Sequence, residues 1–116
     1  MNDDLRALQQ KIVAFRDARD WKQFHNPKDV AISLALEAGE LLEHFQWKNS
    51  AEITKHLQEK RDDVSDELAD VLYWVLLMAN DLGIDLSDAV NHKLNKNELK
   101  YPIMKAKGNH KKYTEL

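Results

Sequence analysis

From Arg61 to Leu82 the chain sets Val64, Leu68, Val71, Leu72, Val75 and Ala79 at intervals of three and four residues, while Tyr73, Leu76 and Leu77 carry apolar surface round to the far side. Such spacing is that of an α-helix, and so wide an apolar girth requires burial against more than one neighbour. Two further stretches show the same period. Leu5, Leu8, Ile12, Val13 and Phe15 predict a helix over 3–19, and Val30, Leu34, Ala38, Leu41 and Phe45 predict another over 27–47. Asn26 caps the second, with Pro27 at its first position. After Gly83, the run Asp85-Leu86-Ser87 opens a last helix that stops by Tyr101-Pro102. The polar stretch 48–60 reads as a connector that holds at most a short helix. With only three Gly and two Pro in 116 residues, nothing favours a turn-rich β fold, and one all-α domain is the expectation.

The chain has no cysteine, so any metal must be held by oxygen or imidazole, which favours Mg²⁺, with Mn²⁺ as its substitute. The segment Met1 to Gln10 is polar, and no apolar run approaches the ~20 residues of a membrane span. A cytoplasmic protein with no membrane partner is therefore expected. A net charge of −3 gives no general attraction to a nucleic-acid polymer.

The chemistry concentrates in two acid-x-x-acid pairs, Glu37 with Glu40 and Glu67 with Asp70, separated by 26 residues. On a helix, acids three apart lie roughly 60° apart on one face, close enough to share a cation. Glu37 and Glu67 sit roughly 80° from the centres of their apolar stripes and Glu40 and Asp70 roughly 140°, in the same rotational sense. If the two helices pack antiparallel, both pairs face one cleft. Solvated acidic faces usually carry Lys or Arg one turn on, yet those positions hold Leu41, His44, Val71 and Trp74. No Lys or Arg occurs in 31–46 or 62–92. Four carboxylates gathered without cations repel one another, and a divalent ion is the economical neutraliser. Such an ion suits phosphate esters and anhydrides.

Trp21, Phe24 and His25 lie in the break between the first two helices, and Trp47 lies at the end of the second. Two readings stand: tryptophans covering the ends of a bundle, or a slot in which a nucleobase stacks. Trp74, one turn beyond Asp70, projects on the carboxylate side and equally suits a core. Seven lysines fall between Lys93 and Lys112 against one acid, Glu98. Those after Pro102 read as a solvated tail, whereas Lys93, Asn97 and Lys100 share a face suited to phosphate oxygens.

These residues resemble the MazG-like nucleotide pyrophosphohydrolase family, whose signature is E-x-x-E followed, after a spacer, by E-x-x-D. The segments RDWKQFHNPKD from Arg19, EAGELLEHFQWK from Glu37, DELADVLYWV from Asp66 and KLNKNELKYP from Lys93 resemble its dCTP pyrophosphatase branch. The resemblance implies a domain over 1–102 with a basic tail over 103–116, and a four-helix core completed by dimerisation, often as a tetramer of two dimers. It also implies house-cleaning hydrolysis of a deoxynucleoside triphosphate, dCTP or a 5-modified dCTP first, to monophosphate and pyrophosphate. Mg²⁺ would sit on Glu37, Glu40, Glu67 and Asp70. Trp21 and Trp47 would stack the base near His25, and Lys93, Asn97 and Tyr101 would meet phosphates. One position departs: dCTP-hydrolysing relatives tend to carry a base-contacting His in the first helix, where this chain has Ile12. That leaves dUTP or damaged deoxynucleotides as alternative substrates, and a non-catalytic helical interaction module as the reading from another class.

Overall fold

The computed structural model describes residues 1 and 3–116, and all the regular structure among them is helical. The all-α class read from the sequence holds. The helices are α1 (Asp3–Asp17), α2 (Pro27–Glu43), α3 (Ser50–Glu59), α4 (Arg61–Leu82), α5 (Leu86–Lys100) and the single turn α6 (Ile103–Ala106), with 3₁₀ turns at Lys22–Phe24 and Tyr113–Glu115. No described helix is long and apolar enough to cross a membrane.

Local chemistry sets the boundaries. Asn26 accepts a hydrogen bond from the Asp29 amide at 2.9 Å, ahead of Pro27 at the first turn of α2. Asp85 caps α5 through the Asp88 amide at 3.1 Å. Gly83 ends α4 in the left-handed region at φ +68°, which a residue without Cβ reaches freely. The polar connector does fold: Asn49 and Glu52 form a reciprocal capping box that starts α3. α2 ends four residues sooner than its apolar period suggests, because a tight turn follows and Trp47 sits at φ +66°.

α4 is the central element, packed against α2 most extensively and also against α1 and α3. Pro27 and Val30 lie with Met78 and Leu82, while Glu40 lies with Glu67, so α2 and α4 run antiparallel. α1 is fastened by Gln9, whose side-chain amide donates to the Leu76 carbonyl at 2.9 Å, and by buried Arg16, paired with Asp81 at 2.6 Å. Arg16 is held more firmly protonated by that hydrogen bond.

The core within one chain is small. Val30, Val64, Leu76, Leu77 and Ala79 are its buried apolar residues, whereas Ala38, expected on the buried stripe of α2, is exposed. Leu36, Leu68, Leu94 and Leu99 are also exposed. The radius of gyration is 17.7 Å, against about 13 Å for a compact domain of this length.

Candidate metal and nucleotide site

Antiparallel packing of α2 on α4 brings the two acid pairs together. Glu37, Glu67 and Asp70 each present a carboxylate oxygen within 4.8 Å of the others, and Glu40 stands within hydrogen-bonding reach of Glu37 and Glu67. Burial, followed by the neighbouring Glu40 and Asp70 carboxylates, pushes Glu37 up to about 7. Burial and Glu40 likewise raise Glu67. The Oε2 atoms of Glu37 and Glu67 are buried with no hydrogen-bond partner. Buried polar atoms are almost always satisfied, so two orphaned oxygens in one acidic cluster suit a positively charged partner. Oxygen donors of this kind suit a hard divalent cation.

Beside the carboxylates opens a cleft of about 480 Å³ lined by Lys11, Ile12, Phe15, Trp21, Glu37, Asp70, Tyr73 and Trp74. The chain reaches it by a tight reversal after α1: Asp20 takes φ +54° and the Trp21 amide returns to the Arg16 carbonyl at 3.3 Å. That return sets Trp21 edge-on to Phe15 at 5.9 Å, and Phe15 in turn meets Tyr73 at 6.4 Å. The Arg19 guanidinium covers the Phe15 ring at 3.6 Å. Tyr73 contacts Trp74 at 5.1 Å, and Trp74 contacts His25 at 5.3 Å. Burial holds Tyr73 above the usual phenol range.

Of the residues singled out in the sequence, Trp21 and Trp74 line this cleft with Glu37 and Asp70, and Ile12 lies among them. His25 touches Trp74 but lines a separate hollow with Lys22 and Asp81; its Nδ1 is buried without a partner, and burial lowers its proton affinity. Trp47, 91% exposed, stands outside the cleft. So do Lys93 and Asn97 on α5, and Tyr101 at its end, whose ring meets Tyr113 at 6.0 Å. Sequence reading missed Lys11, Phe15 and Tyr73 as lining residues. The sequence places Phe15 and Tyr73 on apolar helix faces, and only the crossing of α1 over α4 turns them into a cleft.

On the other side of the carboxylates, Glu40, Glu43, His44, His56 and Glu67 line a second opening of about 420 Å³. His44 Nδ1 and His56 Nε2 lie 2.8 Å apart. Burial, then Lys48, lowers the proton affinity of His56.

Fold and site together define an all-α protein with a carboxylate centre between two antiparallel helices and an aromatic cleft alongside. The chain belongs to the MazG-like family, whose model matches residues 32–116. It is 37% identical to dCTP pyrophosphatase 1 of Rattus norvegicus and 37% identical to dCTP pyrophosphatase 1 of Homo sapiens. Each alignment covers 98% of this chain and 66% of the relative. The chain thus spans about two thirds of the length of these relatives. Among solved structures it resembles a pyrophosphatase from Archaeoglobus fulgidus, with TM-score 0.82 and 38% identity over 88% of this chain and 95% of that one.

Proposed function

We propose that this chain is a Mg²⁺-dependent pyrophosphohydrolase that converts a deoxynucleoside triphosphate, with dCTP or a 5-modified dCTP favoured, to the monophosphate and pyrophosphate. The observation that carries the reading is the convergence of Glu37, Glu67 and Asp70, with two orphaned buried oxygens, at the mouth of an aromatic cleft. The relatives' names agree with that chemistry.

The donor set fits the cation. Glu37, Glu67 and Asp70, joined by Glu40, would hold Mg²⁺, with Mn²⁺ able to replace it. Bound there, the ion supplies charge screening for the triphosphate and polarises a water. Glu37 must give up its proton first, because burial and its acidic neighbours hold that proton up to about pH 7. Trp21, Phe15, Tyr73 and Trp74 offer flat apolar faces on which a base stacks while the carboxylates hold the phosphate end. Lys11, the cation of the cleft lining, faces the same space and can meet a phosphate or base oxygen.

The remaining assignments rest on pairing with a second copy. Exposed Val90, Leu94 and Leu99 on α5, exposed Leu68 and Leu72 on α4, and the large radius of gyration favour a dimer that completes a four-helix core. In that arrangement Trp47, His25, Lys93, Asn97 and Tyr101 act as base and phosphate contacts around a cleft shared by two chains. Ile12 favours a second substrate reading with the same chemistry: it puts an aliphatic group into the cleft where an imidazole would discriminate the base, which suits dUTP or damaged deoxynucleotides as well.

A panel of deoxynucleoside and ribonucleoside triphosphates with Mg²⁺, scored for pyrophosphate release with and without EDTA, tests the proposal. Chelator-sensitive release, fastest with a deoxycytidine triphosphate, is expected. No chelator-sensitive release from any nucleotide would leave the non-catalytic module standing.

A further inference from the structure

Three cations, Lys11, Arg16 and Arg19, flank Phe15 in the sequence, and two of them are engaged away from the cleft. Arg16 is buried against Asp81. Arg19 covers the Phe15 ring and donates to the Phe15 carbonyl at 2.8 Å. Lys11 lines the cleft itself, and among the described residues it forms no ion pair. Its ammonium is therefore not the counter-ion of Glu37 or Asp70, although both line the same space.

Position along α1 sets what Lys11 can reach. It lies one helical turn before Phe15 on the same face, next to Ile12. Phe15 meets Trp21 and Tyr73, so Lys11 belongs to the wall on which a base stacks, whereas the phosphate end belongs to the carboxylates of α2 and α4.

The polar groups of that wall are donors. An ammonium offers three N–H bonds and no acceptor, and an indole offers a single N–H. Burial keeps the Tyr73 phenol protonated. Ile12 contributes neither donor nor acceptor. Pyrimidines differ at the edge that such donors read: cytosine presents its N4 amino group, a donor, where thymine and uracil present the O4 keto oxygen, an acceptor. An ammonium facing an amino group sets two donors against each other, whereas facing a keto oxygen it makes a charge-assisted hydrogen bond.

We propose that Lys11 is a base-reading residue whose ammonium donates to the O4 keto oxygen of a pyrimidine and so admits deoxyuridine nucleotides to the cleft. The proposal rests on the reading of this cleft as a nucleotide site. It concerns the ratio between uracil and cytosine nucleotides, not which of the two is turned over faster, because specificity is a difference of two affinities.

The test compares dUTP with dCTP in the wild type, in Lys11→Met, which keeps an unbranched side chain without its charge, and in Lys11→Arg, which keeps a cationic donor. Position 11 is exposed, so both variants should fold, with circular dichroism as the check. In Lys11→Met the ratio of kcat/KM for dUTP to that for dCTP should fall ~10-fold or more, the cost of losing a hydrogen bond from a charged group. Lys11→Arg should largely restore it. Quenching of tryptophan fluorescence by dUMP and by dCMP, with EDTA present, reads the same discrimination without turnover. An unchanged ratio in Lys11→Met, or equal weakening of both nucleotides as a phosphate contact would produce, overturns the proposal. So does the absence of any nucleotide binding. Discrimination that depends on Lys11 in binding, with no hydrolysis of either triphosphate, would instead sink the hydrolase reading and leave this one standing.

Discussion

α4 and α5 are consecutive helices of one chain, and they are packed very differently. α4 touches α1, α2 and α3 and contributes four of the five buried apolar residues among those described. α5 has at most slight contact with any other helix and leaves Val90, Leu94 and Leu99 exposed at 54, 58 and 84%. A half-buried apolar face gains about 25 cal/mol for each Å² it later covers, so such surface favours whatever conceals it. The carboxylate centre is assembled by contacts within one chain, while the cationic face of α5 stands apart from it.

That contrast can be broken at its strong end first. Glu67→Ala or Asp70→Ala should lower nucleotide hydrolysis on the order of 10²- to 10³-fold, the usual cost of losing a preorganised electrostatic group, with helicity unchanged by circular dichroism. Retained activity would dissociate the cluster from the chemistry. Core truncation comes next. Leu76→Ala empties a fully buried position and should cost about 2–5 kcal/mol in denaturant unfolding. Leu94→Ala should cost under about 0.5 kcal/mol in dilute solution, with a penalty that grows with protein concentration where a second copy covers α5. Equal penalties at all concentrations would erase the distinction between the helices. Base stacking is read in kinetics instead of stability: Trp21→Ala should raise KM by roughly 5- to 160-fold, equivalent to the ~1–3 kcal/mol of one stacked base, with a lesser change in kcat. Trp47→Ala separates the regions further, since its effect on KM should appear only under conditions where the chain is oligomeric.

Much of this was legible in the sequence because it is local. The period of apolar residues places α4 at 61–82, where the structure has it, and α1 and α2 to within a few residues at their ends, while Gly83, the Asp85 cap and Pro102 bound α5. Equivalent wheel positions and absent basic partners predict that Glu37, Glu40, Glu67 and Asp70 face one cleft if the helices run antiparallel; the structure converges Glu37, Glu67 and Asp70, with Glu40 within reach of Glu37 and Glu67. The illegible part is tertiary. Nothing local in Lys11, Phe15 or Tyr73 marks a cleft, which exists because Gln9 and Arg16 fix the crossing of α1 over α4. The end of α2 at Glu43 depends on the left-handed turn at Trp47, and bulky residues seldom adopt that conformation. The meeting of His44 with His56 depends on how α3 folds back, which the weak pattern of 48–60 does not encode.

If the carboxylates hold a cation, calorimetric Mg²⁺ titration at pH 6 and pH 8 reveals it. Glu37 titrates up at about 7 when folded against an ordinary value of 4.5. The metal-free folded chain therefore holds a proton that the unfolded chain has lost. This raised carboxyl contributes stability that is full below pH 4.5 and is lost as pH rises through about 7. Mg²⁺ must displace that proton, so binding should be tighter at pH 8 than at pH 6, release protons at pH 6, and weaken markedly in Glu67→Gln. Mg²⁺ affinity that is the same at both pH values and survives Glu67→Gln would contradict it.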